Sequence, residues 1–111
     1  MKNSHFTNAP GLPNEQHYTT ARDIAILGRA LINNFPEDYK VYAQREFVYN
    51  GIKQPNRNLL LKMDSDADGI KTGHTRSAGY CLLSSVKRDD RRLIAAVMGT
   101  SGERYRAQAS L

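Results

Sequence analysis

Three apolar runs follow one another in the second half of the chain, at 69–75, 79–88 and 92–99, with only 76–78 and 89–91 between them. Connections this short hold a tight turn but not the dozen or more residues of a parallel crossover, so the runs are expected to form an antiparallel meander. Upstream, Glu46-Phe47-Val48-Tyr49 and Ile52-Lys53-Gln54 flank Asn50-Gly51. Asn-Gly takes the positive φ angles of a type I′ turn most readily, so a hairpin is predicted here, stopped by Pro55. Ile24, Leu27, Gly28, Leu31 and Ile32 recur at i, i+3, i+4, i+7 and i+8. That spacing predicts a helix over 20–34 with one buried face. Thr20 is its N-cap, Asp23 an acidic partner three residues on, and Pro36 its terminator.

The rest is quieter. Residues 1–18 read as a Pro/Gly/Asn-rich loop, and a short helix around 37–44 puts Tyr39 and Tyr42 on one side. Residues 56–67 read as a linker. A last helix is expected to start near Ser101, with Glu103 in its first turn, and to run to the end of the chain. The expected fold class is α+β: an antiparallel sheet, a meander of about three strands plus a hairpin, packed with helices in a single domain.

Charge and cysteine content narrow the partners. The net charge of +5 suits an anionic partner. The basic residues are scattered, however, except Lys87-Arg88 and Arg91-Arg92, which flank Asp89-Asp90 and read as a solvated hairpin tip. No nucleic-acid partner is expected; such a binder would have to show salt-dependent association. The single Cys81 excludes an internal disulfide and, lying in an apolar run, reads as a buried small hydrophobe. No segment approaches the ~18 apolar residues of a membrane span. Met1 to His5 has no apolar stretch behind it, so any signal or anchor is expected to lie outside these residues.

The chemistry-bearing stretch is Asp68-Gly69-Ile70-Lys71-Thr72-Gly73-His74-Thr75, which sets a Lys-Thr-Gly triplet on the first strand of the meander. Two nearby strings imitate other sites. Ser84-Ser85-Val86-Lys87 has the Ser-x-x-Lys spacing, but on a strand residues i and i+3 point to opposite faces, so the lysine cannot take the serine's proton. Asp64-Ser65-Asp66-Ala67-Asp68-Gly69 copies the opening of a calcium loop, yet Thr75 stands where the bidentate glutamate belongs, and an acidic solvated loop is expected. His5, His17, His74 and Cys81 lack metal-ligand spacing, so neither a metal nor a cofactor is expected. His5 and His17 are expected to bond within their loop.

Further blocks accompany the triplet: His5-Phe6-Thr7-Asn8 with Gly11-Leu12-Pro13; His17-Tyr18-Thr19-Thr20-Ala21-Arg22-Asp23; Tyr49-Asn50-Gly51-Ile52; and Gln54-Pro55-Asn56-Arg57-Asn58. In that order they closely resemble the low-molecular-mass penicillin-binding proteins that are serine D-alanyl-D-alanine carboxypeptidases. The resemblance implies a partial β-lactamase/transpeptidase-like fold, with residues 1–111 as the second half of the catalytic domain. It also implies that the Ser-x-x-Lys nucleophile and the Ser-x-Asn motif lie earlier in the family sequence and not in this chain.

The implied reaction is removal of terminal D-alanine from a peptidoglycan pentapeptide through an acyl-enzyme, with β-lactams bound by the full-length protein in the periplasm, at the membrane. The implied roles are a cation at the cleft from Lys71, a hydroxyl for the substrate carboxylate from Thr72, and close backbone approach at Gly73. His74 would give its backbone N–H to the oxyanion, Arg57 would face the cleft, and Arg106 follows on a weaker alignment. The isolated chain is expected to be inactive. The alternative expectation is a non-catalytic module that binds peptidoglycan or a partner through the same wall. Strand 92–99, beside Leu93, Ile94 and Val97, is expected to leave an open edge that recruits a second copy.

Overall fold

The computed structural model describes residues 1–111. Strand β1 (Glu46–Tyr49) pairs with β2 (Ile52–Pro55), and β3 (Ala67–Thr75), β4 (Gly79–Arg88) and β5 (Arg91–Thr100) form a second antiparallel sheet in that order. Helix α1 (Ala21–Asn34) precedes a pair of single turns, α2 (Pro36–Tyr39) and a 3-10 turn over Lys40–Ala43. Helix α3 (Leu60–Met63) lies before the meander and α4 (Glu103–Ala109) after it. The α+β meander and hairpin are therefore as expected. At the hairpin tip Asn50 and Gly51 both take positive φ, 51° and 76°, as a type I′ turn requires.

The meander is covered on both faces, and β4 explains how. Successive strand residues point to opposite sides. Leu82 joins Leu60, Leu61, Ala67 and Ala107 on the side of α3 and α4. Its neighbour Leu83 joins Tyr39 and Ile70 on the side of α1, where Ile24, Leu31 and Ile32 pack. A strand buried on both faces reads as a continuous apolar run rather than an alternating one. Burying a leucine such as Leu60, fully inaccessible here, stabilises the fold by about 1.5–3 kcal/mol.

Helix α1 begins as expected, with the Thr20 hydroxyl accepting from the Asp23 N–H at 3.1 Å. The Asp23 carboxylate does not reach back to its own cap. It accepts from the Ser4 hydroxyl (2.7 Å) and the Asn3 N–H (2.9 Å), tying the N-terminal loop to the helix. The Ser4 bond holds its pKa below the ordinary carboxylate value, burial opposes that, and the Asn3 bond adds to the lowering. Gly28 lets the helix settle on the sheet: a Cβ there would lie 3.0 Å from Leu83 Cδ2 and 3.1 Å from Ile70 Cδ1. The periodicity overstated the buried face, since Leu27 lies at the solvent end of the stripe and is exposed.

Several other expectations change. Residues 56–67 are not a linker, because Leu60, Leu61 and Ala67 are members of the core on the α3 and α4 side of the sheet and Asn58 is buried beside them in sequence. Helix α4 does not run to the last residue; it stops at Ala109 with Ser110 as its C-cap. Cys81 is half-buried rather than fully buried. The acidic loop is held by ion pairs, with Arg88 donating to Asp64 (2.6 Å) and Asp66 (2.9 Å). Arg92 is not part of a solvated tip. It donates to both oxygens of Asp68 and to the Ser85 hydroxyl, while the Tyr39 hydroxyl donates to Asp68 at 2.8 Å.

Burial, with the Asp68 carboxylate adding to it, pushes the Tyr39 phenol well above its ordinary value near 10. A folded-state pKa raised in this way contributes stability that is present below about pH 10 and is lost as pH rises towards the folded value. Alkaline unfolding of this chain should therefore show a component, between about pH 10 and 12, that Tyr39→Phe removes. Melting curves of both forms from pH 8 to 12 check it; parallel curves would contradict the assignment.

Candidate active site

Strand β3 is an outer strand of the meander, and its residues Lys71 to Thr75 line one wall of a broad groove of about 1140 Å³. Arg57, Arg106, Tyr80 and Cys81 line it too, and the N-terminal loop from Asn8 to Asn14 contributes a further stretch of rim. The sequence-derived set Arg57, Lys71, Thr72, Gly73, His74 and Arg106 is thus brought to one groove. Cation-rich lining and an apolar floor suit a ligand with an anionic end.

The strand starts from a fixed point. Asp68 is held by Tyr39 and Arg92, and the buried Asn58 amide donates to the Gly69 carbonyl at 3.2 Å while its oxygen accepts from the Leu60 N–H. Gly69 passes so close to Tyr39 that a Cβ would sit 2.4 Å from the phenol oxygen. Two residues later the Lys71 ammonium, exposed on the strand, donates to the Thr72 carbonyl. Gly73 has open space where a Cβ would stand, so a ligand can approach the backbone there without a side chain in the way.

His74 and Arg106 are placed differently from one another and from Lys71. The His74 ring stacks on Tyr80, with centroids 3.9 Å apart and planes 15° from parallel, and its Nδ1–H donates to the Gly79 carbonyl at 3.2 Å. The stack and this bond fix the orientation of the exposed ring. Arg106 is buried, with 3% exposure. Its guanidinium donates to the Gly73 carbonyl (3.5 Å) and the Arg57 carbonyl (3.4 Å) and lies 5.5 Å from the Tyr80 ring centre. It braces the two walls against each other from beneath. Arg57 itself is exposed, with its side chain at the rim.

Sequence reasoning missed Tyr80, Asn58, and the trio Tyr39, Asp68 and Arg92. Asn58 and Asp68 stand inside the blocks that carried the resemblance, but nothing in their local pattern marks a long-range partner. The Ser84-to-Lys87 string lies on β4, with Ser84 and Ser85 buried and Ser85 bonded to Arg92. His5 and His17 bond within their loop, to the Gln16 carbonyl and from the Thr7 N–H.

A family model described as D-alanyl-D-alanine carboxypeptidase matches residues 1–102. D-alanyl-D-alanine carboxypeptidase DacA of Escherichia coli is 50% identical over 100 residues, 89% of this chain and 25% of its own length. The structure of penicillin binding protein 5 from Haemophilus influenzae superposes with a TM-score of 0.94 at 45% identity, covering 99% of this chain and 33% of that one. A Listeria monocytogenes penicillin-binding protein, solved in a cefotaxime-bound form, superposes at 0.87 with 28% identity, covering 96% of this chain and 44% of that one. The chain spans about a quarter of the length of the curated relatives it matches.

Proposed function

The chain belongs to the D-alanyl-D-alanine carboxypeptidase family, and from that premise we propose that it forms the Lys-Thr-Gly wall of the cleft in which a serine-type enzyme removes terminal D-alanine from peptidoglycan stem peptides. The observation that carries this reading is the convergence of Lys71, Thr72, Gly73 and His74 on a groove shared with Arg57 and Arg106. In this reading residues 1–111 are the second half of the catalytic domain, and the nucleophile comes from polypeptide that this chain does not include.

In the proposed reaction a serine oxygen attacks the carbonyl carbon between the two D-alanines. The C–N bond breaks, D-alanine leaves with a proton, and water hydrolyses the resulting ester to free the serine. Lys71 supplies positive charge where the serine's proton is handled and where the anionic end arrives. The Thr72 hydroxyl and the Arg57 guanidinium take the terminal carboxylate, the latter as a planar two-pronged donor. Gly73 admits the substrate backbone against β3, and the His74 N–H donates to the oxyanion. Arg106 keeps the two walls at a fixed spacing and lends its charge to the groove from below. β-Lactams enter the same cleft of the whole protein and acylate the same serine.

The reading places the whole protein in the bacterial envelope, on the periplasmic side of the membrane; within this chain no helix is long and apolar enough to cross one. The outer edge of β5, with Leu93 exposed beside it, is the surface through which a second copy of this chain would pair when nothing else covers it.

Labelled penicillin tests the core of the proposal. The intact protein should become covalently labelled, and this chain alone should not. Labelling of this chain would place a nucleophile within it and overturn the division of roles. Absence of labelling in the intact protein would remove the acyl-enzyme.

A further inference from the structure

The β1–β2 hairpin stands outside the groove and has two unlike faces. Residues opposite one another across a sheet share a face, so the register Phe47↔Gln54 and Tyr49↔Ile52 puts Phe47, Tyr49, Ile52 and Gln54 together. Glu46 and Lys53 stand on the other face, ion-paired at 3.6 Å. The first face carries no formal charge. Its large side chains are open to solvent: Phe47 is 58% exposed, Tyr49 67% and Ile52 62%. The two rings are nearly parallel, 11° apart, but their centroids are separated by 6.4 Å. At that distance they form a loosely offset stacked pair whose remaining surface is open to solvent.

A small cleft of about 200 Å³ opens beside Phe47, lined by Gln44, Gln54, Asn56 and Glu46. The Asn56 amide is spent on the Tyr42 and Gln44 carbonyls, while the exposed Gln44 and Gln54 side chains also line the cleft. Parallel aromatic faces next to amide donors and acceptors suit a pyranose ring. The C–H face of the sugar lies on the electron-rich ring faces, while its hydroxyls and acetamido group meet the amides. The platform residues Phe47, Tyr49, Ile52 and Gln54 are uncharged, as a neutral sugar requires, the Glu46 carboxylate at the cleft is an acceptor for sugar hydroxyls, and the groove is cationic for an anionic peptide end. Chain continuity agrees too, since Arg57 at the groove rim follows Pro55, the last residue of the hairpin, by two positions.

We propose that the uncharged hairpin face is a docking platform for the glycan of the substrate, a β-linked N-acetylated pyranose chain, placed so that the attached peptide reaches the groove. This inference rests on the peptidoglycan reading above. It makes Phe47 and Tyr49 specificity-determining residues that favour glycan-linked peptides over free ones.

The test is titration of this chain, isotope-labelled for NMR, with the β-1,4-linked trimer of N-acetylglucosamine. Shifts should be confined to residues 44–56. Affinity should fall about three- to tenfold in Phe47→Ala and in Tyr49→Ala and be kept in Phe47→Tyr, with signals of β3 to β5 unmoved in all variants. No shift at the hairpin, or equal binding by the alanine variants, would overturn the platform. Concentration-dependent broadening at the hairpin without sugar, abolished by Phe47→Ala, would assign the face to a second copy and also overturn it. In the intact protein the alanine variants should raise KM for glycan-linked pentapeptide and leave free pentapeptide unchanged. If penicillin fails to label the intact protein while the trimer still binds at the hairpin, the carboxypeptidase reading falls and the platform stands. The reverse pair of results removes the platform alone.

Discussion

Replacing Lys71 by alanine in the intact protein should lower kcat/KM for D-alanine release, and the rate of acylation by labelled penicillin, by about 100- to 1000-fold. The magnitude is that of removing one preorganised charge from a site where charge develops during the reaction. The location makes the experiment clean. Lys71 is exposed on β3 and its ammonium touches only the Thr72 carbonyl, so its removal leaves both halves of the core in place. Melting temperature should stay within about 2 °C of the parent, since exposed substitutions of this kind cost little. Lys71→Arg should not restore the rate, because a planar fork does not replace a compact ammonium. An alanine variant with unchanged acylation would take Lys71 out of the chemistry and leave Lys-Thr-Gly as a structural strand.

Gly69→Ala should destabilise the chain markedly through a single added methyl. Its Cβ would fall 2.4 Å from the Tyr39 oxygen and 3.0 Å from Cζ, and Tyr39 cannot swing aside without giving up its bond to Asp68. Overpacking of this kind costs about 1–3 kcal/mol. For a domain of this size that corresponds to a fall in Tm of roughly 5–15 °C. Gly102→Ala is the control, because its nearest neighbour would lie 3.4 Å away, in ordinary contact. Tyr39→Phe should relieve part of the Gly69→Ala penalty by removing the closest atom, so the double variant should lose less than the sum of the single ones. Additive losses would mean that the clash is taken up elsewhere.

How much of this was legible in the sequence depended on the range of the interaction. The meander, the type I′ hairpin and the start of α1 are set by neighbours in the chain: short connections, Asn50-Gly51, and Thr20 three residues before Asp23. The Lys-Thr-Gly strand and its groove partners came through the resemblance, since nothing local distinguishes Lys71 from any lysine on an outer strand. What stayed hidden was long-range. Leu60 and Leu61 looked like part of a linker because four residues of helix carry no period to detect. Arg92 looked like a solvated charge because its partner Asp68 is 24 residues away. Arg106 could be carried over as a groove cation, but its burial beneath Gly73 follows only from the packing of α4 under the sheet.

Leu82 and Leu83, adjacent on β4, anchor separate cores on opposite sides of one strand. An alteration at either leucine is therefore felt by the packing on both faces of the sheet, and the whole body should melt as a unit. Evolution of a new preference would meet the same arithmetic. It can rewrite the turn at 76–78, the loop at 8–14 or the hairpin tip without penalty to the interior, while the floor beneath them stays closed to experiment.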